Sequence, residues 1–189
     1  MARVVGLDIS TSIVGIAILN GKADDFTVEK LCHVDFKGCD DIWQKVDKFS
    51  SEFASLFEDR EDLPIVFIEE ALINFTPGFS NAQTISTLVK FNAMCAYFVR
   101  SFMSRDPNFI ACTHARKLCG IKVLRTSKCG KPAKQQVFEW ALEGPFKDAT
   151  FEMTKTGKYK PWNYDEIDAY VIARAGLIEL ESVQLNNIP

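Results

Sequence analysis

The sequence predicts an α/β protein built on a mixed five-stranded sheet with helices on both faces. Three observations predict it. Two apolar runs of strand length open the chain around a small polar centre, Val4-Val5-Gly6-Leu7-Asp8-Ile9-Ser10-Thr11-Ser12-Ile13-Val14-Gly15-Ile16-Ala17-Ile18-Leu19. Two later β-type runs are reached only through stretches of helical periodicity, which implies crossover connections. Finally, 189 residues that are 47% hydrophobic and 25% charged can bury the core of one compact domain.

The opening runs are rich in β-branched residues and read as a hairpin that turns near Ser10–Ser12. A carboxylate inside such a strand is costly to bury unless it is paired. Asp8 therefore has two readings: it faces a cation, or it ends the strand and makes an Asx-turn with the Ser/Thr cluster. Asp25–Phe36 reads as a third strand. Asp40 or Asp41 then caps a helix to about Glu58, whose Ile42, Trp43, Val46, Phe49, Phe53, Leu56 and Phe57 form one apolar stripe. Pro64-Ile65-Val66-Phe67-Ile68 is a fully buried strand that ends in Glu69-Glu70. A turn-rich loop with Phe75 and Phe79 leads to a long helix, about Ser80 to Ser104. Its middle, Ala93–Val99, is apolar nearly all round, which fits either a central core helix or a face covered by a second subunit. A short strand, Asn108–Thr113, precedes a short helix over 114–118 that Thr113 caps and Gly120 closes. A basic loop over 121–132, a helix over 133–142, an irregular or hairpin-like segment over 144–161 and a last helix from near Asn163 to about Glu181 complete the chain. No repeat, low-complexity segment or linker divides it, so residues 1–189 read as one domain. Three strands in a meander, then strands joined by helices, is the order of the RNase H-like fold.

Net charge is −3, which excludes a chain that is basic throughout. The charge is unevenly placed. From Asp35 to Asp62 there are nine acidic and four basic residues, whereas Pro107–Phe138 has no acid and seven cations: Arg116, Lys117, Lys122, Arg125, Lys128, Lys131 and Lys134. Such a tract is either an electrostatic footprint for a polyanion or a solvated loop and helix face. No leader or membrane-length apolar run is recognisable, so a cytoplasmic protein with no membrane partner is expected, in a host cell if the source is a phage or virus. The six cysteines lack any CxxC spacing and read as free thiols.

Three places compete for chemistry: Asp8, Glu69-Glu70, and Asp165-Glu166-Ile167-Asp168. Asp165 and Asp168, three apart on a helix, have Cβ atoms roughly 5–6 Å apart on one face. Acids in a first helical turn also favour the macrodipole, the plainer account of this pair. If all these acids meet at one sheet edge, bound cations make the cluster tolerable. Oxygen-only ligands suit Mg²⁺ or Mn²⁺, and two such ions about 3.5–4 Å apart clamp a phosphodiester.

With these motifs in view, the chain resembles RuvC-type Holliday junction resolvases of the RNase H-like superfamily, in particular phage or viral members. Gly6-Leu7-Asp8 with Gly15-Ile16-Ala17 matches the first motif, although Ile9-Ser10 stands where Pro-Gly or Pro-Ser is common. Phe67-Ile68-Glu69 matches the second, and Asp165-x-x-Asp168-Ala169-Tyr170 the last. The resemblance implies a crossover junction endodeoxyribonuclease that cuts four-way DNA junctions as a homodimer with two Mg²⁺ per active site, Mn²⁺ substituting. It implies Asp8, Glu69, Asp165 and Asp168 as metal ligands and Lys117 and Lys134 as phosphate-stabilising residues. The rest of the basic tract would track the DNA backbone, and Phe75 or Phe79 would wedge into the junction. Two other classes use similar parts: RNase H-like nucleases of flaps, forks or RNA–DNA hybrids, and sugar-kinase or actin-like ATPases. The ATPases need a second phosphate-binding hairpin and about twice the length.

Overall fold

The computed structural model describes residues 1–57, 62–71 and 82–186. The sheet is formed by β1 (Ala2–Ile9), β2 (Ile13–Lys22), β3 (Asp25–Asp35), β4 (Ile65–Glu69) and β5 (Asn108–Ile110). Its order is β3-β2-β1-β4-β5. The meander β1–β2–β3 is antiparallel, and β4 and β5 join it in parallel. The helices are α1 (Ile42–Ser55), α2 (Ala82–Met103), α3 (Cys112–Leu118), α4 (Thr126–Cys129), α5 (Ala133–Glu143) and α6 (Pro161–Asn186). The predicted mixed sheet of the RNase H-like fold is therefore the one observed.

Strand alternation divides the core in two. Val5, Leu7 and Ile9 of β1, with Val66 and Ile68 of β4, face Phe49 and Phe53 of α1 and Phe91, Cys95 and Val99 of α2. Val4 and Phe67 point the other way, into a core with Ala169, Tyr170 and Ala173 of α6 and Val137 and Phe138 of α5. Asp8 and Glu69 share the parity of Val4 and Phe67, so the same alternation turns both toward α6.

The helix α6 lies unusually close to the sheet because β1 and β2 lack side chains where it crosses. A Cβ built on Gly6 would lie 2.1 Å from the Ala169 carbonyl oxygen, and one on Gly15 would lie 2.1 Å from that of Asp165. Since Asp8 is paired with Gly15 across the hairpin, the second contact sets Asp165 directly over Asp8.

Several elements differ locally from expectation. In the hairpin turn Ser10 is the organising residue: its Oγ accepts from the Ile13 amide and donates to the Ile13 carbonyl, leaving Asp8 out of the turn. Asp41 caps α1 through the Gln44 amide, as expected, but the helix ends at Ser55, where tight bonds from Leu56 and Phe57 close its last turn. The helix α3 begins earlier than expected, because β5 stops at Ile110 and the Ala115 amide already bonds to the Ala111 carbonyl. Thr113 therefore lies inside the helix and does not cap it. The last helix starts at Pro161, a residue suited to the first helical position. Asp165 and Asp168 thus lie beyond the first turn, and the macrodipole does not account for them.

The helix α2 is not buried all round. Phe91, Cys95, Val99 and Met103 face the sheet, but Ala93 is exposed and Tyr97 is 68% exposed. Trp43 of α1 is likewise 66% exposed. These residues, with Val46, Met94 and Phe98, line an apolar groove of about 460 Å³ between the two helices. All six cysteines are free. Among the described residues no helix is long and apolar enough to cross a membrane.

Candidate active site

Four carboxylates from three separate segments meet at the C-terminal ends of β1 and β4. The parallel register sets Leu7 opposite Ile68, so the following residues, Asp8 and Glu69, stand side by side. The helix α6 lays Asp165 and Asp168 over them. Asp8 is 6% exposed and Asp168 only 3%. Glu70 is exposed at the strand end, where its amide continues the ladder to the Ile110 carbonyl. Of the two neighbouring glutamates, alternation thus brings Glu69 into the cluster and leaves Glu70 outside it.

Two cations enter this group. Lys134 Nζ lies 2.7 Å from Asp8 Oδ2, 2.5 Å from Asp165 Oδ1 and 3.3 Å from Asp168 Oδ2. Burial alone would lower the Lys134 pKa, but Asp8, Asp168 and Asp165 outweigh it and hold it raised. Arg116, reaching from α3, donates to the other oxygen, Asp168 Oδ1, at 3.2 Å. Burial pushes the Asp168 carboxyl up, and Lys134 and Arg116 act against that push. Arg116 thus stands beside the carboxylates where the family resemblance put Lys117; Lys117 is exposed.

The Glu69 carboxyl is raised to about 8, first by burial, then by the charge of Asp8 and a hydrogen bond shared with it. The shift favours the protonated carboxyl, whose hydroxyl can donate to Asp8. A proton held in the folded protein and released near 4.5 in the unfolded chain stabilises the fold fully below that value. That contribution is lost as pH rises through about 8. In EDTA the wild-type melting temperature is expected to fall between about pH 5 and about pH 8 and to level off above that, and Glu69→Gln to remove most of that fall. Parallel slopes for the two proteins would show that Glu69 is not the group responsible.

The donor set suits a hard cation. It is made of oxygens alone, and the deepest of them, Asp168 Oδ2, is buried without a hydrogen-bond partner. Among the described residues no three acidic, imidazole or thiol groups are drawn together tightly enough to hold a metal ion as they stand. The Lys134 ammonium fills the space between the carboxylates.

The remaining predicted residues separate. Lys117, Lys122 and Arg125 line a cavity of about 530 Å³ together with Ile121, Val123, Leu124 and Arg116. The basic surface is therefore continuous with the acids through Arg116. Lys128 is exposed on α4, while Lys131 is paired with Glu139 at 2.8 Å. Phe75 and Phe79 lie outside the described residues.

One supporting group is not evident in the sequence. His33 Nδ1 lies 2.7 Å from Glu166 Oε1, and its ring stacks on Trp162 with centroids 4.9 Å apart. This pins the start of α6 to β3 on both sides of Asp165. A lone histidine on β3 and a glutamate 133 residues later carry no local signal of the pairing.

No family model matches the chain, and no curated protein matches it by sequence. Solved structures share its fold. Thermus thermophilus RuvC in complex with a Holliday junction substrate aligns with a TM-score of 0.62 and 10% identity, over 96% of both chains. A second Thermus thermophilus RuvC structure aligns at 0.59 and 15% identity, again over 96% of both. The yeast mitochondrial Holliday junction resolvase Ydc2 aligns at 0.59 and 13% identity, over 97% of this chain and 81% of its own.

Proposed function

We propose that the chain is a metal-dependent endodeoxyribonuclease that resolves four-way DNA junctions by paired phosphodiester hydrolysis. The observation that carries this reading is the convergence of Asp8, Glu69, Asp165 and Asp168 on one sheet edge, open to a basic surface. The named resolvases share the fold around that edge.

Asp8, Glu69, Asp165 and Asp168 are the residues to hold metal, two Mg²⁺ or Mn²⁺ per site. When bound, such ions supply an activated water and neutralise the charge developing on phosphate. The chain's own groups do the rest. Arg116 fixes Asp168 from the side away from Lys134. Glu69 must release its proton to present full charge to a divalent ion. His33 and Trp162 hold the first turns of α6, and with them Asp165, against the sheet. Arg116, Lys117, Lys122, Arg125, Lys128, Lys131 and Lys134 neutralise the approaching backbones. Labelled four-way, forked and linear DNA, and RNA–DNA hybrid, incubated with Mg²⁺, Mn²⁺ or EDTA, test the proposal. Symmetric metal-dependent cuts in the four-way junction support it. Preference for forks, flaps or hybrids would move the same site to the other nuclease class, and no cleavage of any substrate would overturn it.

Binding should depend steeply on salt, because each neutralised phosphate releases counterions. Replacing Lys122, Arg125 and Lys128 by Gln is expected to weaken junction binding and to flatten the log–log salt slope by about 0.9 per lost contact. Unchanged affinity and slope in a gel-shift series would make this face a solvated surface.

Paired cuts need two sites, and the apolar groove between α1 and α2 is the surface we assign to a homodimer. Tyr97→Asp combined with Trp43→Glu should convert a sedimenting dimer to monomer at micromolar concentration. A wild-type protein that is monomeric with and without junction DNA would refute this.

A further inference from the structure

We propose that Lys134 is the resident cation of the carboxylate cluster and yields its place when a divalent metal binds, so that metal loading frees an ammonium for the DNA backbone. The inference rests on the metal-binding reading above and adds an exchange to it.

The geometry points to exchange. An ammonium has three donors and no acceptor. Two are spent on Asp8 Oδ2 and Asp165 Oδ1. The third oxygen, Asp168 Oδ2, is 3.3 Å away but is not reached by a hydrogen bond. These are the same oxygens that would ligate a metal. They stand at ammonium spacing, whereas Mg²⁺ requires about 2.0–2.1 Å to oxygen. One site cannot hold both cations: they compete for the same lone pairs and repel each other at that range.

The two cations of the site differ in their freedom to leave. Arg116 is a planar fork whose side chain is 13% exposed and which binds an oxygen that Lys134 does not touch. Lys134 sits in the first turn of α5 on a flexible four-carbon stem, and its side chain is 44% exposed. Beside it is a cavity of about 460 Å³ lined by Pro132, Gln135, Tyr159, Pro161, Tyr164 and Asp165. Lys134 itself lines that space, so the cavity offers its ammonium a place to turn into. Once there it is an unpaired cation next to the cluster, where a phosphate would meet it. Metal and DNA then favour each other's binding by equal factors, since linkage is reciprocal.

The test uses full-length protein and Mn²⁺ as the probe. Calorimetric titration without DNA is expected to show Lys134→Met binding Mn²⁺ about tenfold tighter than wild type, on the scale of one charge-assisted hydrogen bond no longer displaced. The variant should melt lower than wild type in EDTA and regain stability with Mn²⁺. In wild type, acylation of Lys134 by an amine-reactive reagent, read by mass spectrometry, should rise severalfold on saturation with Mn²⁺, with exposed Lys128 as the unchanged reference. This measurement decides the question if Lys134→Met cannot be recovered folded. Equal Mn²⁺ affinity of the two proteins, or Lys134 still protected under saturating Mn²⁺, overturns the exchange and leaves the metal reading standing. Absence of Mn²⁺ binding by either protein overturns both.

Discussion

Asp168→Asn is expected to reduce DNA cleavage on the order of a thousandfold or more while leaving junction binding intact or tighter. Asn keeps the size of the side chain and one oxygen but removes the charge. Asp168 is 3% exposed and meets Arg116 through one oxygen and approaches Lys134 through the other, so it is the most enclosed acid of the cluster. A hard cation should lose its deepest ligand and with it the geometry of the site. Binding should not suffer, because less negative charge then faces the phosphates. The fold should survive: the amide oxygen can still accept from Arg116, and repulsion from Asp8 is relieved. Asp8→Asn, Glu69→Gln and Asp165→Asn are expected to behave alike. Glu70→Gln is the control, since Glu70 is exposed and outside the cluster, and it should remain active. Cleavage and gel-shift affinity measured side by side in Mg²⁺ decide the matter. Wild-type cutting by Asp168→Asn would end the metal assignment, and a dead Glu70→Gln beside an active Glu69→Gln would reverse the two glutamates.

The second large effect is expected where no chemistry is touched. Gly15→Ala places a methyl group 2.1 Å from the Asp165 carbonyl oxygen and 2.4 Å from its carbon. Both are backbone atoms, so no side-chain rotation relieves the clash, and the start of α6 must lift from the hairpin. Overpacking of this kind costs about 1–3 kcal/mol or more. Misplacing catalytic groups by an ångström costs roughly a hundredfold in rate. Gly15→Ala should therefore lower both the melting temperature and cleavage, and Gly6→Ala, aimed at the Ala169 carbonyl oxygen, should do the same. Gly144→Ala, whose nearest neighbour would be the Trp140 carbonyl oxygen at 3.3 Å, should change little. A Gly15→Ala protein with wild-type melting and activity would show that α6 does not need its close seat.

Where a signal is local and periodic, the chain could be read without the fold. The hairpin, the buried strand before Glu69 and the helices α1, α2 and α5 follow from spacing alone. The choice of Glu69 over Glu70 rests on the motif match; strand alternation alone says only that the two face opposite ways. What could not be read depends on phase or partner. Whether Arg116 or Lys117 reaches the acids is a matter of one residue on a seven-residue helix. That helix is oriented by burial of Ala115, a tertiary fact. Which side of α2 meets the sheet is likewise decided by α1 and the strands, so an all-apolar stretch says nothing of it. Gly6 and Gly15 are visible as motif letters, but the helix backbone they admit is not. Lys134 was readable as a basic residue near the site and not as the ion between three carboxylates.

The acids of this site come from both ends of the described chain: Asp8 on the first strand, Asp165 and Asp168 on the last helix. That arrangement bears on biosynthesis. A nascent chain leaving the ribosome carries Asp8, and then Glu69, long before α6 has been made. Until α6 docks over Gly6 and Gly15, the four carboxylates are not gathered, and the growing polypeptide has no complete site. On the proposed reading, placing one wall of the site in the last described helix makes docking of that helix the condition for cutting.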